Sequence, residues 1–364
     1  IQVMNYYCIP INIVNWVKDF LRNRMQRVMI RGVPSSWHKV ISGVPQGSVL
    51  GPILFLIYIN TLTEVVQHSD LVLFADDNKL YKEIIKDEDK ELLQIDIDAI
   101  HNWTKNSLLL FHPDKCFTMQ ICSKLKTTYS PAYHKDDRIL VNKNELKDLG
   151  ILIDEHLKFK NHITEKINKA NQIMNLIRRT FTYVDKDNFI ILYKSLVRPH
   201  IEYGNVVWYP FLKADINAIE NMQRRATRYV AEVGTLEYGA RLVELDLPTL
   251  AYRRFRGSMI ERYKILNNLY DEQCASLFFE MKDTNTRGHR FSIKTKYSRS
   301  NVRRNFFSVR VPNLWNSLPA LVVEASSLNV FKNRLDNHCR EKGIMFDMNV
   351  DFTDIYSLSV LLKQ

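Results

Sequence analysis

A chain of 364 residues, 46% of them apolar, is long enough to bury a sizeable core and to divide into two or three domains. Its longest apolar stretch, 49–59, is broken by Gly51 and Pro52 and is too short to cross a bilayer, no secretory leader opens the chain, and five cysteines without a CxxC pair indicate neither a disulfide framework nor a zinc site. A net charge of +11 points toward an acidic polymer as partner, and the cysteine usage toward a reducing intracellular compartment.

In 11–24, Ile13, Trp16, Val17, Phe20 and Leu21 recur at helical spacing, which predicts an amphipathic helix with Asp19 on its polar side. Segments 26–32 and 37–43 read as two strands joined by a turn at Pro34-Ser35-Ser36. The run GVPQGSVLGP at 43–52 then opens an apolar helix reaching about residue 62, with Pro52 suited to its first turn. Its glycines let the backbone approach a ligand closely, and Gln46 can both donate and accept hydrogen bonds.

Next comes LVLFADDNKLY at 71–81, an apolar strand, a turn at Ala75-Asp76-Asp77, and a resumed apolar strand. A solvated turn is the plain reading of Asp-Asp-Asn. The alternative is a cation site, because adjacent carboxylates about 4 Å apart repel by roughly 4 kcal/mol at an effective dielectric of 20. A bound Mg²⁺ would remove that repulsion. Gly-rich loop and acidic hairpin, in this order and at this spacing, together suggest a nucleotide polymerase site.

A helix is expected from Asp87 to about Asn106, with Leu92, Ile95, Ala99 and Trp103 on the side that packs across the sheet carrying Asp76. Strands are expected near 108–111, 116–122, 138–141 and 148–153. From 161 onward the pattern is helical, with Ile163, Ile167, Ala170, Met174 and Ile177 along one helix, and a second helix over 187–198 ending at Pro199. In 214–230, Ile216, Ile219, Met222, Ala226 and Tyr229 form a buried stripe that leaves Arg224, Arg225 and Arg228 facing outward, toward a duplex backbone or simply toward water. Segment 284–310 has no Asp or Glu, and Arg287, Arg290, Lys294, Lys296, Arg299, Arg303, Arg304 and Arg310 alternate with Phe291, Tyr297, Phe306 and Phe307. Such cations neutralise phosphates and such rings stack on unpaired bases for about 1–3 kcal/mol each, unless the rings belong to a core. His338-Cys339 reads as a surface pair, since a knuckle would need further ligands.

The segments 42–62, 71–81, 93–116, 149–163, 198–208 and 313–336, which include SGVPQGSVLGPILFLIYINTL, LVLFADDNKLY and NLWNSLPALVVEASSLNVFKNRLD, resemble the reverse transcriptase of non-LTR, LINE-type, jockey-like retrotransposons. The resemblance implies an α+β fold: a right-hand polymerase palm remnant (antiparallel sheet with packed helices) over 1–155, a helical thumb over 156–235, and a mostly helical C-terminal domain over 236–364. It implies that Asp76 binds the catalytic Mg²⁺ or Mn²⁺ with Asp77 beside it, and that Gln46, Gly47 and Ser48 position template and incoming nucleotide. Lys115 would act near the leaving pyrophosphate, and 149–154 would grip the primer. The implied activity is RNA-directed DNA polymerase, a nucleotidyltransferase adding deoxynucleotides to a DNA primer 3′ end on an RNA template. No membrane is involved, and the implied setting is a ribonucleoprotein of nucleus and cytoplasm.

One departure matters. The family supplies a further catalytic Asp from a strand before Gly43, whereas the only acid here before Glu64 is Asp19, on the predicted amphipathic helix. The chain, which begins with Ile, therefore reads as a fragment lacking the fingers and first catalytic strand, inactive by itself. The competing expectation is a non-catalytic nucleic-acid-binding remnant that keeps the hairpin only as structure.

Overall fold

The computed structural model describes residues 1–122, 132–136, 138–271, 276–282, 289–352 and 354–363. It mixes helix with short strands, as an α+β chain does, and divides into two compact units, 1–120 with 126–143 and 121–125 with 144–364.

The first unit opens with helices α1 (Gln2–Tyr6) and α2 (Ile11–Leu21). In α2 the buried residues are Val14 and Val17, joined by Met4 and the partly buried Leu21, Leu54 and Ile57, while Ile13 and Trp16 are 44% and 56% exposed. The expected stripe is thus rotated. The helix has two adjacent apolar faces, and periodicity cannot say which one finds a neighbour. Asp19 is indeed on the outside, 3.9 Å from Arg22.

Four two-residue strands follow, β1 (Met25–Gln26), β2 (Met29–Ile30), β3 (Val33–Pro34) and β4 (His38–Lys39), with β1 paired to β4 and β2 to β3. The turn lies at Arg31-Gly32, with φ of 49° and 84°, and not at Pro34–Ser36. Two positive-φ residues fit the twist of a two-residue hairpin loop, which outweighs the Pro-Ser-Ser signal.

Helix α3 (Leu50–Ile59) starts at a serine cap: the Gly51 N–H donates to Ser48 Oγ at 3.0 Å, and Ser48 Oγ donates to the Pro45 carbonyl at 2.7 Å. Pro52 falls in the first turn, where its missing N–H has no intrahelical partner to lose. Leu54 and Ile57 enter the cluster around Val14 and Val17, whereas Phe55 and Ile59 enter a second cluster with Leu62, Leu71, Leu73, Leu80, Ile100 and Trp103.

That second cluster lies under a hairpin of β5 (Asp70–Phe74) and β6 (Asp77–Tyr81), paired Phe74 to Asp77 and Leu71 to Leu80. Its burial alternates. Leu71 and Leu73 face the cluster while Val72 and Phe74 are 46% and 59% exposed, so the run is half-buried rather than a fully buried strand. Every sheet among the described residues has two strands.

Helix α4 (Asp87–Ser107) covers the hairpin's apolar face with Ile100 and Trp103. Its inner face carries Asp96, 1% exposed, while the expected core residue Ile95 is 51% exposed. The Asp96 carboxylate accepts the Gln67 and His68 N–H groups at 3.0 Å each and so ties the loop before β5 to the helix. Desolvation works against its charge, yet those bonds hold its pKa below the usual carboxylate range. The unit ends with β7 (Phe117–Thr118), β8 (His134–Lys135), β9 (Arg138–Ile139) and β10 (Val141–Asn142), paired β7 with β10 in parallel and β8 with β9 antiparallel.

The second unit begins with a hairpin of β11 (Glu145–Asp148) and β12 (Ile151–Asp154), where one strand over 148–153 is expected. Gly150, at φ 84°, makes the turn, and Tyr203 donates its hydroxyl hydrogen to the Leu149 carbonyl at 2.9 Å. Helix α5 (Lys160–Thr180) buries Ile163, Ala170, Met174 and Ile177 as the periodicity predicts. Then come α6 (Lys186–Leu192), a π turn over Tyr193–Val197 and α7 (Arg198–Glu202), so the chain stays helical through Pro199. The proline sits in the first turn of α7, where it is tolerated.

Helices α8 (Lys213–Ala226) and α9 (Tyr238–Glu244) complete one cluster with α5 to α7. Helix α10 (Leu250–Leu266) gives Leu250 to that cluster and Tyr252, Phe255, Met259 and Tyr263 to another. The latter cluster is closed by α12 (Phe307–Ser317), α13 (Ala320–Val323), α14 (Leu328–Glu341) and α15 (Ile355–Lys363), with the short α11 (Asn301–Asn305) before them. Cys339 is fully buried there, its thiol pKa pushed up to about 12 by burial, and so does not form a surface pair with His338. Cys274 lies outside the described residues.

His162 on α5 is 1% exposed, accepts the Leu152 N–H at Nδ1 and lies 5.3 Å from Trp208 between ring centres. Burial, helped by Lys166 and Lys147 against Glu165, lowers its pKa to about 4. The unfolded chain takes up this proton near pH 6.5 and the folded one resists it. Stability from this residue is therefore complete above pH 6.5 and falls by about 3 kcal/mol as the pH drops to 4. Urea titrations across that range should show the fall, and His162→Gln should flatten it.

Candidate functional site

The two carboxylates of the acidic hairpin sit at its tip. Asp76 is in the two-residue turn and Asp77 opens β6 opposite Phe74, and both side chains are exposed. Ala75 adopts φ 52°, a left-handed conformation that costs a non-glycine residue about 1–2 kcal/mol and that the flanking ladder holds in place. In bulk water the repulsion of two charges at 4 Å is only about 1 kcal/mol, so exposure allows the pair to stand without a cation.

The same pair is nonetheless a fitting donor set for one. Mg²⁺ takes oxygen ligands and is commonly held by one or two carboxylates, with water and substrate phosphates filling the remaining positions. Among the described residues no group of three or more His, Cys, Asp or Glu converges on one point. The structure thus brings Asp76 and Asp77 together with each other and with no third acid.

The loop before α3 is tied to that hairpin through the helix it caps. Gln46 and Gly47 are exposed, with Gly47 at φ 80° and open space around the position a Cβ would take. Ser48 is committed: its single hydroxyl proton goes to Pro45, and one lone pair takes the Gly51 N–H. Its fixed contribution is to start α3, whose Phe55 and Ile59 then pack with Leu71, Leu73 and Leu80 beneath the hairpin. Lys115 is elsewhere in the same unit, exposed at the end of a 3₁₀ turn over Pro113–Lys115.

The basic residues separate into paired and open ones. Arg224 does not face outward: it is half-buried, 5.0 Å from the Tyr238 ring centre and with Nη2 3.5 Å from Met348 Sδ. Arg225 and Arg228 are exposed, Arg225 donating to Asn171 at 3.4 Å. Arg287 lies outside the described residues. Arg290 pairs with Glu324 at 3.5 Å, and Lys294 and Lys296 pair with Glu280 at 3.8 and 2.9 Å. Arg310 is 2% exposed, its guanidinium 3.9 Å over Tyr209 and its pKa lowered by burial to about 10.

Of the interleaved rings, Phe307 and Phe291 pack in the core, whereas Tyr297 and Phe306 are 84% and 44% exposed. What remains open to a partner is Arg299, Arg303 and Arg304 with Tyr297 and Phe306, around α11. Sequence reasoning missed the four arginines buried among the described residues of the second unit, Arg241, Arg254, Arg262 and Arg310. Arg254, Ser258 and Arg262, four residues apart along α10, are the one periodic sign of them.

A family model for reverse transcriptase (RNA-dependent DNA polymerase) matches residues 2–169, the segment that holds the loop, α3 and the acidic hairpin. In that segment the chain is similar to the reverse transcriptase family. It is 28% identical over 230 residues to the RNA-directed DNA polymerase from mobile element jockey of Drosophila melanogaster, covering 59% of this chain and 24% of that protein. It is 29% identical over 231 residues to the probable RNA-directed DNA polymerase from transposon BS of the same species, covering 59% of this chain and 25% of that protein. The probable RNA-directed DNA polymerase from transposon X-element, also from that fly, is 25% identical over 224 residues, with 59% and 24% covered. The chain spans about a quarter of the length of these curated relatives. No solved structure matches.

If the Ser48 hydroxyl is the cap of α3, Ser48→Ala should destabilise the first unit by about 1 kcal/mol while Gln46→Ala leaves stability unchanged. Urea unfolding of both variants measures this, and equal midpoints would deny Ser48 that role.

Proposed function

We propose that this chain is part of the RNA-directed DNA polymerase of a jockey-like non-LTR retrotransposon, with its palm remnant at 1–155, thumb at 156–235 and C-terminal domain at 236–364. What carries the reading is one juxtaposition: a Gly-rich loop and an exposed Asp-Asp hairpin built on the same helix, α3, inside the segment that matches the family. The partners proposed with it are an RNA template, a DNA primer and deoxynucleoside triphosphates, in an intracellular ribonucleoprotein.

In this reading Asp76 and Asp77 hold a divalent cation at the hairpin tip, and Gln46 with the Gly47 backbone lies along the incoming nucleotide. A bound Mg²⁺ would supply Lewis-acid stabilisation of phosphoryl oxygens and a more acidic primer hydroxyl. The chain's own part is to fix the carboxylates on a ladder braced from below by Leu71, Leu73 and Leu80, so that little reorganisation accompanies the reaction. Lys115, exposed and positively charged, is the proposed donor near the leaving pyrophosphate. With the chain embedded in a complete polymerase domain, Asp76→Ala should cut primer extension by about 10²–10³-fold or more while template binding persists. Extension at the unaltered rate would remove Asp76 from the mechanism.

A second reading, a nucleic-acid-binding remnant without catalysis, is favoured by the lack of a third acid beside Asp76 and Asp77 among the described residues. In both readings Arg299, Arg303 and Arg304 contact phosphates. Replacing all three with Ala should lower the slope of log K against log salt concentration by about 2–3. An unchanged slope in a filter-binding or anisotropy titration would place the contact elsewhere.

A further inference from the structure

Among the arginines of α10, Arg254 is the one held by neither a carboxylate fork nor a ring, with Glu220 and Glu202 acting on its charge only through space. Arg253 forms a fork with Glu202 at 2.7 and 2.8 Å, and Arg256 forms one with Asp336 at 2.6 and 2.7 Å. The other deeply buried arginines lie over rings: Arg241 over Tyr238, Arg262 over Phe279 and Trp315, and Arg310 over Tyr209. Such faces replace part of the lost hydration. Arg254 is 2% exposed, has no ring beneath it among the described residues, and its Nη1 has no hydrogen-bond partner.

Arg254 instead lines a cavity of about 340 Å³ enclosed by α8, the start of α10 and segment 347–352. Arg224 lines it too, and its buried Nε is likewise without an acceptor. Two guanidinium groups from two helices therefore bring unmatched donors to one space. Glu220, on the same wall, offsets part of the Arg254 charge, but its oxygens take the Tyr238 hydroxyl at 2.6 Å and the Leu250 N–H at 2.9 Å, so these nitrogens stay without an acceptor. A buried unpaired guanidinium is costly, and an oxyanion is the chemistry that matches planar forked donors.

The remaining walls describe the rest of the ligand. Asp347 and Asp351 add carboxylates that already engage the Asn349 N–H at 2.8 Å and Lys213 at 3.9 Å, and Tyr209 and Phe352 offer aromatic surface. A bare ion would leave the aromatic wall unused, and the volume falls within the roughly 300–1,000 Å³ typical of small-molecule sites. We propose that this cavity binds a mononucleotide, with the phosphate on Arg254 and Arg224, ribose or amino hydrogens on Asp347 and Asp351, and the base against the aromatic wall. It lies within the second unit and does not depend on the polymerase reading.

Titration calorimetry and thermal melts of the full chain with AMP, inorganic phosphate and adenosine, at matched ionic strength, test this. AMP should bind and raise the melting temperature, phosphate should do so more weakly, and adenosine should have the least effect. Arg254→Met should weaken AMP binding at least about tenfold, and the melting temperature of the ligand-free variant shows whether the fold tolerates losing the charge that faces Glu220. Asn217→Trp, which fills the exposed edge of the cavity, should block binding with Arg254 intact and so decides the matter if the first variant misfolds. Competition by an oligonucleotide bearing a 5′-phosphate, but not by its 5′-hydroxyl form, would assign the site to strand ends; competition by AMP alone would assign it to free nucleotides. No AMP binding to the unaltered chain, or equal binding by both variants, overturns the proposal.

Discussion

The first unit depends on α3 being apolar on nearly all sides. A surface helix has one buried stripe, but this one gives Leu54 and Ile57 to the cluster of α1 and α2 and Phe55 and Ile59 to the cluster under the hairpin. Two small cores, each too slight to stand alone, are thereby joined through one rigid element. The consequence for the site is geometric. The loop at 45–48 is fixed at the helix's start by the Ser48 cap, and the hairpin is fixed by apolar contact with its later turns. Neither feature could shift far without breaking the cap or opening a core.

The second unit depends on a different constraint, the disposal of buried positive charge. Burying a guanidinium is expensive unless it is paired, and the chain uses three solutions. Carboxylate forks hold Arg253 and Arg256, aromatic faces hold Arg241, Arg262 and Arg310, and a cavity faces Arg254. The forks complete themselves within the fold, whereas the ring-held guanidinium groups keep some nitrogens without an acceptor. The third leaves room for a ligand, which is why an orphaned donor in a hollow is informative where one against a ring is not.

Much of the fold was legible wherever period and punctuation agreed. The stripe of α5, the extent of α4 and the hairpin at 70–81 all follow from apolar spacing bounded by turn residues. The errors share a cause. On α2 and α4 the helix is right but its buried face is not, because Trp16 and Ile95 are as apolar as the residues that do find neighbours, and Asp96 is buried by two N–H groups supplied from 29 and 28 residues away. The turn at Arg31-Gly32 lost to Pro34-Ser35-Ser36 because the local signal of proline and serine is stronger than the strand twist that selects the actual loop. Partners distant in sequence leave no mark on local composition.

The same lesson applies to charge. A run of cations without acids in 284–310 reads as one continuous binding surface, yet Glu280 and Glu324, outside the run, neutralise Arg290, Lys294 and Lys296, and Arg310 turns inward to Tyr209. Among the described residues, folding thus reduces the basic stretch to a smaller open patch whose exposed rings, Tyr297 and Phe306, lie beside Arg299, Arg303 and Arg304. At the acidic hairpin the conversion runs the other way. Two carboxylates that would repel strongly in a core stand at low cost in water, so their adjacency alone does not demand a cation. What sets the pair apart from an ordinary turn is the platform beneath it, where Leu71, Leu73 and Leu80 pack on the helix that the 45–48 loop begins.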